Sequence, residues 1–388
     1  MKILFYEWNS YLQYDVKWIC KEQGIALDMF TWKFADKNED EGFEQWFREN
    51  VDGSRFDAVL SINYWPMVSK MALEKGLKYI AWCYDNPLNV INVEDTLGNP
   101  NNYVFFFDRV QAEKYLRAGF DTVYYLPLGV NSTRLSRIQI SSTDRREYGA
   151  DVSLVGSLYE SRLQELRALM DEYVRGYLDA ALAVQQNLYG YYMFDELVTD
   201  ELVERINRYV KEQHPETNFC LLKEALTFAM ASDVTRKDRL VLLTILGRRF
   251  DTRLYSFQES TILEGVKCFP RVDYVTEMPK VFACSKVNLN PVLRCIQSGI
   301  PLRALDVMGM GGFLLSSWQT ELVEQFGHEE EMVVYESIGD AVEKITFYLK
   351  HEELRSQIAA RGREKVLGNY SLQSRLETIL ETANLIMS

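Results

Sequence analysis

The stretch Ser285–Ser317 reads SKVNLNPVLRCIQSGIPLRALDVMGMGGFLLSS and concentrates residues that can hold an anion. Pro301 suits the first turn of a helix, because its fixed φ fits there and its missing N–H is not needed. The unpaired N–H groups of a helix start make an anion site. Arg303, just inside that helix, adds a guanidinium able to grip phosphate through two parallel bonds. A second phosphate-compatible corner is Asp151-Val-Ser-Leu-Val-Gly156-Ser157, a strand ending in Gly-Ser with Arg162 in the next helical turn. The chemistry these residues suit is binding a phosphate group and stabilising negative charge on it. A helix dipole contributes about 0.3–1 kcal/mol, and up to ~2 when partly buried. Each charge-assisted hydrogen bond adds about 1.5–3 kcal/mol. Arg303 with one helix start can thus supply several kcal/mol, roughly a hundred- to thousandfold in rate. No metal is required by those magnitudes.

The elements that must position these residues follow from the apolar pattern. Val287–Pro291 reads as a short strand, and a polar loop with Arg294, Ser298 and Gly299 follows. The helix after Pro301 carries Arg303 and Asp306 and stops at Gly309 and Gly311-Gly312. Phe313-Leu314-Leu315 is a buried strand. In the first half, strands are expected at Lys2–Trp8, Ile25–Phe34, Phe56–Asn63, Lys78–Tyr84, Asn102–Phe107 and Thr122–Leu128. Helices are expected at Tyr11–Gly24, Phe43–Val51, Val68–Lys75 and Gln111–Ala118. Strands alternating with helices imply a doubly wound parallel sheet, whose ligand lies beyond the carboxyl ends of the strands. Those ends are polar and aromatic: Trp8-Asn9-Ser10, Tyr64-Trp65, Asp85-Asn86-Pro87, Asp108-Arg109 and Gly129-Val130-Asn131. Asp85 ends an apolar strand and is the candidate general base there. A helix cap or a turn is the competing reading of Asp85.

Asn131–Tyr148 is polar, has no clear period and reads as a linker, dividing the chain into domains 1–147 and 148–370. Residues of about 160–248 read as a mostly helical insert in the second domain, broken at His214-Pro215. It can be packing, an acceptor-binding element or an oligomer contact. Strand pattern returns at Thr252–Ser256, then helix at Glu277–Cys284. After Ser317 come a helix (Thr320–Phe326), a strand (Glu331–Tyr335), a helix capped by Ser337 with Asp340 at N3, and two closing helices, Glu352–Leu367 and Leu372–Ile386.

Asp306-Val-Met-Gly-Met-Gly-Gly-Phe-Leu-Leu-Ser resembles the Glu-Ala-Met-Ala-Cys-Gly-x-Pro-Val-Ile segment of group-1 glycosyltransferases of the GT-B fold. With Asn288-Leu289-Asn290 and Gly299-Ile-Pro-Leu-Arg303-x-x-Asp306, the run resembles the spore-maturation CgeB-like group more closely. Gly156-Ser157 with Arg162 resembles the opening of the second GT-B domain. This chain departs in having Asp306 for the usual Glu, Ser298 where an acid often stands eight positions earlier, and a proline five residues before Asp306. The resemblance implies an α/β chain of two Rossmann-like domains facing across a cleft, with residues 371–388 crossing back to the first. It implies a donor held by Gly156, Ser157, Arg162, Tyr274, Asn288, Asn290, Ser298, Gly299, Arg303, Asp306, Gly311 and Gly312. Tyr274 would lie near the base, and Asp306 would accept bonds from the ribose hydroxyls. Asp85 and Arg303 are the expected catalytic residues, and Trp8, Asn9, Tyr64 and Trp65 the expected acceptor side. The implied activity is hexosyl transfer from a nucleotide sugar, a UDP-sugar foremost, to a protein or cell-surface glycoconjugate. A sugar-nucleotide epimerase, or a non-catalytic sugar-nucleotide-binding assembly protein, are the alternatives.

The 388 residues carry a formal net charge of −13, which argues against a broad nucleic-acid footprint. Hydrophobic residues at 47% suffice for globular cores. The chain contains no Asp-x-Asp for a diphosphate-bound cation, no P-loop, no Gly-x-Gly-x-x-Gly after the first strand and no Gly-x-Ser-x-Gly. His214, His328 and His351 lack metal-ligand spacing. No cofactor and no metal are expected. Six scattered cysteines, with Cys83 and Cys268 in apolar runs, read as buried free thiols of a reducing compartment. Neither a leader nor a membrane-spanning run is visible, so the cytoplasm is the expected location.

Overall fold

The computed structural model describes residues 1–88, 90–258 and 262–386. The chain divides into two compact units, Met1–Arg137 with Val366–Ser388, and Ile138–Lys365. The sequence placed these boundaries at 147 and 371.

The first unit is built on β1 (Lys2–Tyr6), β2 (Ala26–Phe30), β3 (Ala58–Ile62), β4 (Lys78–Cys83), β5 (Asn102–Phe106) and β6 (Val123–Tyr125). They form one parallel sheet in the order β2-β1-β3-β4-β5-β6, with Leu60 beside Phe5 and Ile62 beside Trp82. β1, β3, β4 and β5 are continuous apolar runs because helices cover both faces of a parallel sheet. Beside β2, Phe30, Phe43, Trp46 and Phe47 pack ring against ring. The helix Leu372–Thr382 buries Leu372, Leu376, Ile379 and Leu380 and belongs to this unit. Val130 and the Tyr370–Leu372 segment exchange two backbone bonds, of 2.9 and 2.8 Å. Gly129 permits that approach, since a Cβ there would lie 3.0 Å from the Tyr370 carbonyl oxygen.

The expected linker 131–148 is instead two short helices, Ser132–Arg137 and Ser142–Tyr148. Their stability is local and polar, which is why the apolar period did not reveal them. Asn131 accepts from the Arg134 amide at 2.9 Å, and Ser141 with Asp144 forms a capping box. Arg134 also makes a two-pronged, buried ion pair with Asp15 at 2.8 Å, which fixes this segment to the helix Gln13–Glu22.

The second unit carries β7 (Ala150–Val155), β8 (Thr252–Tyr255), β9 (Val266–Phe269), β10 (Ser285–Asn290), β11 (Leu314–Ser317) and β12 (Val333–Tyr335). They are parallel, in the order β12-β11-β10-β7-β8-β9. β9 was not expected. It is a largely exposed edge strand of four residues whose apolar pattern is interrupted by Lys267, and Cys268 on it is exposed, not buried as expected. Between β7 and β8 the chain is helical: Leu163–Arg167, Glu172–Gln186, Phe194–Leu197, Asp200–Gln213 and Lys223–Gly247. These helices share a core around Leu178, Phe194, Ile206, Leu226 and Met230. The helix Asp200–Gln213 ends before His214-Pro215, as expected.

Candidate functional site

In the second unit the strand order reverses at β7: the chain runs outward through β8 and β9, then returns to the other side as β10, β11 and β12. Such a switch point leaves a crevice outside the carboxyl ends of the two central strands. Gly156-Ser157 follows β7 there, and Pro291 follows β10. Gly156 has φ +143°, and an added Cβ would sit 2.4 Å from Arg303 Nη2 and 2.9 Å from its Cζ. Only glycine lets the Arg303 guanidinium occupy this spot. Arg303 lies in the first turn of the helix Leu302–Gly309, which Pro301 precedes as the cap and not as the first helical residue. Among the described residues, Arg303 forms no hydrogen bond or ion pair, neither with Asp306 nor with any other carboxylate.

A second guanidinium stands beside it. Arg239, on the long helix Lys223–Gly247, is fully buried. It donates to the carbonyl oxygens of Ser157 and Pro291 and lies 4.6 Å over the Tyr159 ring. It therefore staples the end of β7 to the end of β10. Burial pushes its pKa down to about 10, and the charge of Arg303 acts in the same direction. The neighbouring carboxylate, Asp238, is turned away to Arg294, which also stacks 3.8 Å over Tyr189. Among the described residues, neither of the two guanidinium groups at this corner is ion-paired with a carboxylate, an arrangement that favours an anion there. Arg239 escaped the sequence reading. Its signal was an Asp-Arg pair interrupting a helix that continues as Leu240-Val-Leu-Leu.

The other expected donor residues divide. Asp306 is buried and accepts from the Tyr274 hydroxyl at 3.3 Å, so these two stand together one turn after Arg303. Ser157 receives the Tyr159 amide at 2.9 Å and donates to Gln258 Oε1 at 3.0 Å. Asn290 ends β10, donates to Ser316 at 3.0 Å and leaves its Oδ1 buried without a partner. Ser298 donates to Glu321 Oε1 at 2.6 Å, and the Glu321 amide donates to the Ser298 carbonyl at 3.1 Å. A carboxylate from the helix Thr320–Gln325, which follows β11, thus reaches the position where the sequence has Ser298. Gly299 sits in the same loop, its carbonyl 3.5 Å from Gln319 Nε2.

Three expected residues are elsewhere, and so is the Arg162 side chain. Asn288 is mid-strand and bonded to the carbonyls of Phe282 and Phe313. Gly311 and Gly312 end the helix ahead of β11, at the amino edge of the sheet, where an added Cβ on Gly312 would meet Asn288 Nδ2 at 2.7 Å. Their role is packing. Arg162 points to solvent, 79% exposed, and pairs with Glu165 on its own turn.

In the first unit the strand order reverses between β1 and β3. Trp8 and Trp65 both donate their ring N–H to the Ile62 carbonyl, at 2.7 and 3.1 Å, and their rings meet edge to face at 5.6 Å. Asn9 adjoins them with φ +69°. Asn63, also left-handed, accepts from the amides of Tyr84 and Asp85 and donates to Asp85 Oδ2 at 2.6 Å. Asn63 therefore aims Asp85, which caps no described helix. Asp85 is exposed, yet the surrounding protein pushes its pKa up, with the Asn63 bond and the Lys37 charge pulling it back. Lys37 lies 5.2 Å over the Trp65 ring, its pKa lowered by burial and raised by Asp85. Tyr64 is no surface residue: it is 1% exposed and donates to Thr96 inside the core.

Among the described residues no cluster of three His, Cys, Asp or Glu side chains can hold a metal ion, and no helix is long and apolar enough to cross a membrane.

Residues 233–381 match a family model described as glycosyl transferase-like, which covers less than half of the chain. No curated protein matches the chain. Solved structures do. Sucrose-phosphate synthase from Thermosynechococcus elongatus aligns over 99% of this chain and 98% of its own, at 11% identity and a TM-score of 0.58. The fold is GT-B. Anabaena HepE, solved with UDP and glucose, aligns over 100% of both chains at 11% identity and a TM-score of 0.54. T4 phage BGT, solved with UDP-glucose, aligns over 99% of both at 9% identity and a TM-score of 0.53. Of this GT-B chain, the family match spans Arg239, Tyr274, Ser298, Arg303, Asp306 and Glu321.

Proposed function

We propose that the protein transfers a hexosyl group from a nucleotide sugar to a hydroxyl of a protein or cell-surface glycoconjugate, without a metal ion. The observation that carries this reading is the unpaired Arg303 guanidinium, packed against Gly156 at the switch point of the second sheet. Arg303, with the start of its helix, binds the diphosphate and stabilises the charge that develops as it leaves. Arg239 holds both loops in place and adds positive potential. Asp306, steadied by Tyr274, receives the ribose hydroxyls. In the first unit, Asp85 takes the proton from the acceptor hydroxyl as its oxygen bonds to the anomeric carbon, while the bond from that carbon to the β-phosphate oxygen breaks. The protein around Asp85 raises its pKa, and Asn63 aims it. Trp8 with Asn9 and the Lys37-covered face of Trp65 border the acceptor side.

UDP-sugars are the donors of choice, in keeping with the UDP and UDP-glucose bound to two of the fold neighbours. The CgeB-like group is the best place for the chain among group-1 enzymes, on the Asn288–Asp306 run. The six free thiols suit the cytoplasm. The test is Arg303→Ala. It abolishes UDP-dependent thermal stabilisation and donor turnover if the reading holds. Unchanged stabilisation and turnover would refute it.

A further inference from the structure

The helices between β7 and β8 carry a surface groove that the transfer reaction does not use. It has a volume of about 400 Å³, within the roughly 300–1,000 Å³ of small-ligand sites. Its walls are the helices Glu172–Gln186 and Asp200–Gln213. Tyr173, Tyr177, Leu202, Arg205, Arg208 and Glu201 line it. Tyr173 is 65% exposed and forms one side of the groove. Arg205 lies 4.9 Å over the Tyr173 ring and is fixed there by Asp171, through bonds of 3.0 and 2.8 Å. Tyr177 is fixed by its hydroxyl, which donates to the Leu197 carbonyl at 2.8 Å. Glu201 is turned to the helix start, where its own amide and Thr199 hold its carboxyl below the usual range. Arg208, three residues after Arg205 and so on the same face, has no hydrogen bond or ion pair among the described residues.

The groove is therefore a rigid aromatic and aliphatic floor with one paired and one unpaired guanidinium. We propose that it binds an oligosaccharide that carries anionic groups, as an acceptor-holding site apart from the donor crevice. The C–H faces of sugar rings lie on the tyrosines and Leu202, and a carboxylate, sulfate or phosphate meets Arg208. Extended peptides fit less well, because the walls are helices whose backbone bonds are already made and no strand edge is offered. A wholly neutral glycan leaves Arg208 without a counter-ion. The chain's net charge of −13 repels polyanions at large, so such binding depends on Arg208, since Arg205 is already paired with Asp171.

The test is binding without turnover, on the full chain with saturating UDP so that the nucleotide site is filled. Calorimetric titrations use a heparin-derived tetrasaccharide as the sulfated probe, tri-galacturonate as the carboxylated probe and maltotetraose as the neutral control. At least one anionic probe is expected to bind at least tenfold more tightly than the control. Arg208→Glu and Tyr173→Ala, both at the surface, are each expected to weaken that binding about tenfold or more, with UDP affinity and melting temperature unchanged. The ratio of sulfated to carboxylated binding identifies the anion. Binding that survives both substitutions, equal binding of maltotetraose, or no binding of either anionic probe overturns the proposal. None of these outcomes bears on Arg303, whose role is read from UDP affinity alone.

Discussion

Gly156 and Arg303 make a coupled pair whose failure can be measured in free energy. Gly156→Ala places a methyl carbon where the Arg303 guanidinium now lies, 2.4 Å from Nη2. The arginine must swing away, and alanine must adopt φ +143°. The backbone strain costs on the order of 1–3 kcal/mol, which appears as a lower melting temperature. Displacing the guanidinium from a diphosphate loses a charge-assisted bond of about 1.5–3 kcal/mol. At about 1.4 kcal/mol per decade, UDP affinity should fall roughly ten- to 150-fold. The decisive assay is a double-mutant cycle, with UDP dissociation constants from calorimetry for wild type, Gly156→Ala, Arg303→Ala and the double variant. If glycine serves to seat Arg303, Gly156→Ala costs almost nothing further in affinity once the arginine is gone. The strain, and hence the drop in melting temperature, remains. Losses in UDP affinity that simply add would refute the seating argument.

Asp85→Asn should lower kcat by at least a hundredfold while leaving UDP affinity unchanged, measured by steady-state kinetics beside calorimetry. The acid limb of the pH–rate profile should fall above the ordinary carboxylate value, because the surrounding protein raises Asp85, and activity is lost as pH drops through that raised pKa. Lys37→Met removes the cation that lowers Asp85, so the limb should move to still higher pH; a downward move would contradict the assignment. Arg239→Met leaves the Ser157 and Pro291 carbonyls without their donor, at about 1–3 kcal/mol for each unsatisfied group. The melting temperature and UDP affinity should fall together, in contrast to Arg303→Ala, which should spare stability.

The parallel core was legible because β1, β3, β4 and the start of β11 are apolar runs, and β10 alternates Val287 and Leu289 with polar residues, each closed by polar or glycine-containing ends. β9 was not, since an edge strand buries too little to need such a run. Arg303 was legible because a proline and a helix start stand next to it in sequence. Arg239 was not, since it reaches Gly156's neighbour only when the strand order reverses and brings β7 and β10 together. Glu321 was hidden for a related reason: it approaches Ser298 from a helix that follows the next strand. Tyr64 and Arg162 show the converse. Both occupy the expected strand-end or loop-end place, but side-chain direction is set by local packing. The Tyr64 hydroxyl finds Thr96 within the core, and Arg162 finds Glu165 outside it.

The helix Leu372–Thr382 gives the protein an unusual order of assembly on the ribosome. The first unit needs it: Gln23 bonds to Glu377 at 3.0 Å, Lys78 to the Ala383 carbonyl at 2.6 Å, and Val130 pairs with the segment just ahead of the helix. All of Ile138–Lys365 is synthesised before that helix. The usual amino-to-carboxyl sequence of domain folding is therefore inverted at the last step. The nascent first unit waits, with the apolar faces of Val130 and the helix Gln13–Glu22 uncovered, while the second unit is translated and free to fold. Emergence of the helix Leu372–Thr382, and not emergence of residue 137, is the event that closes the first unit.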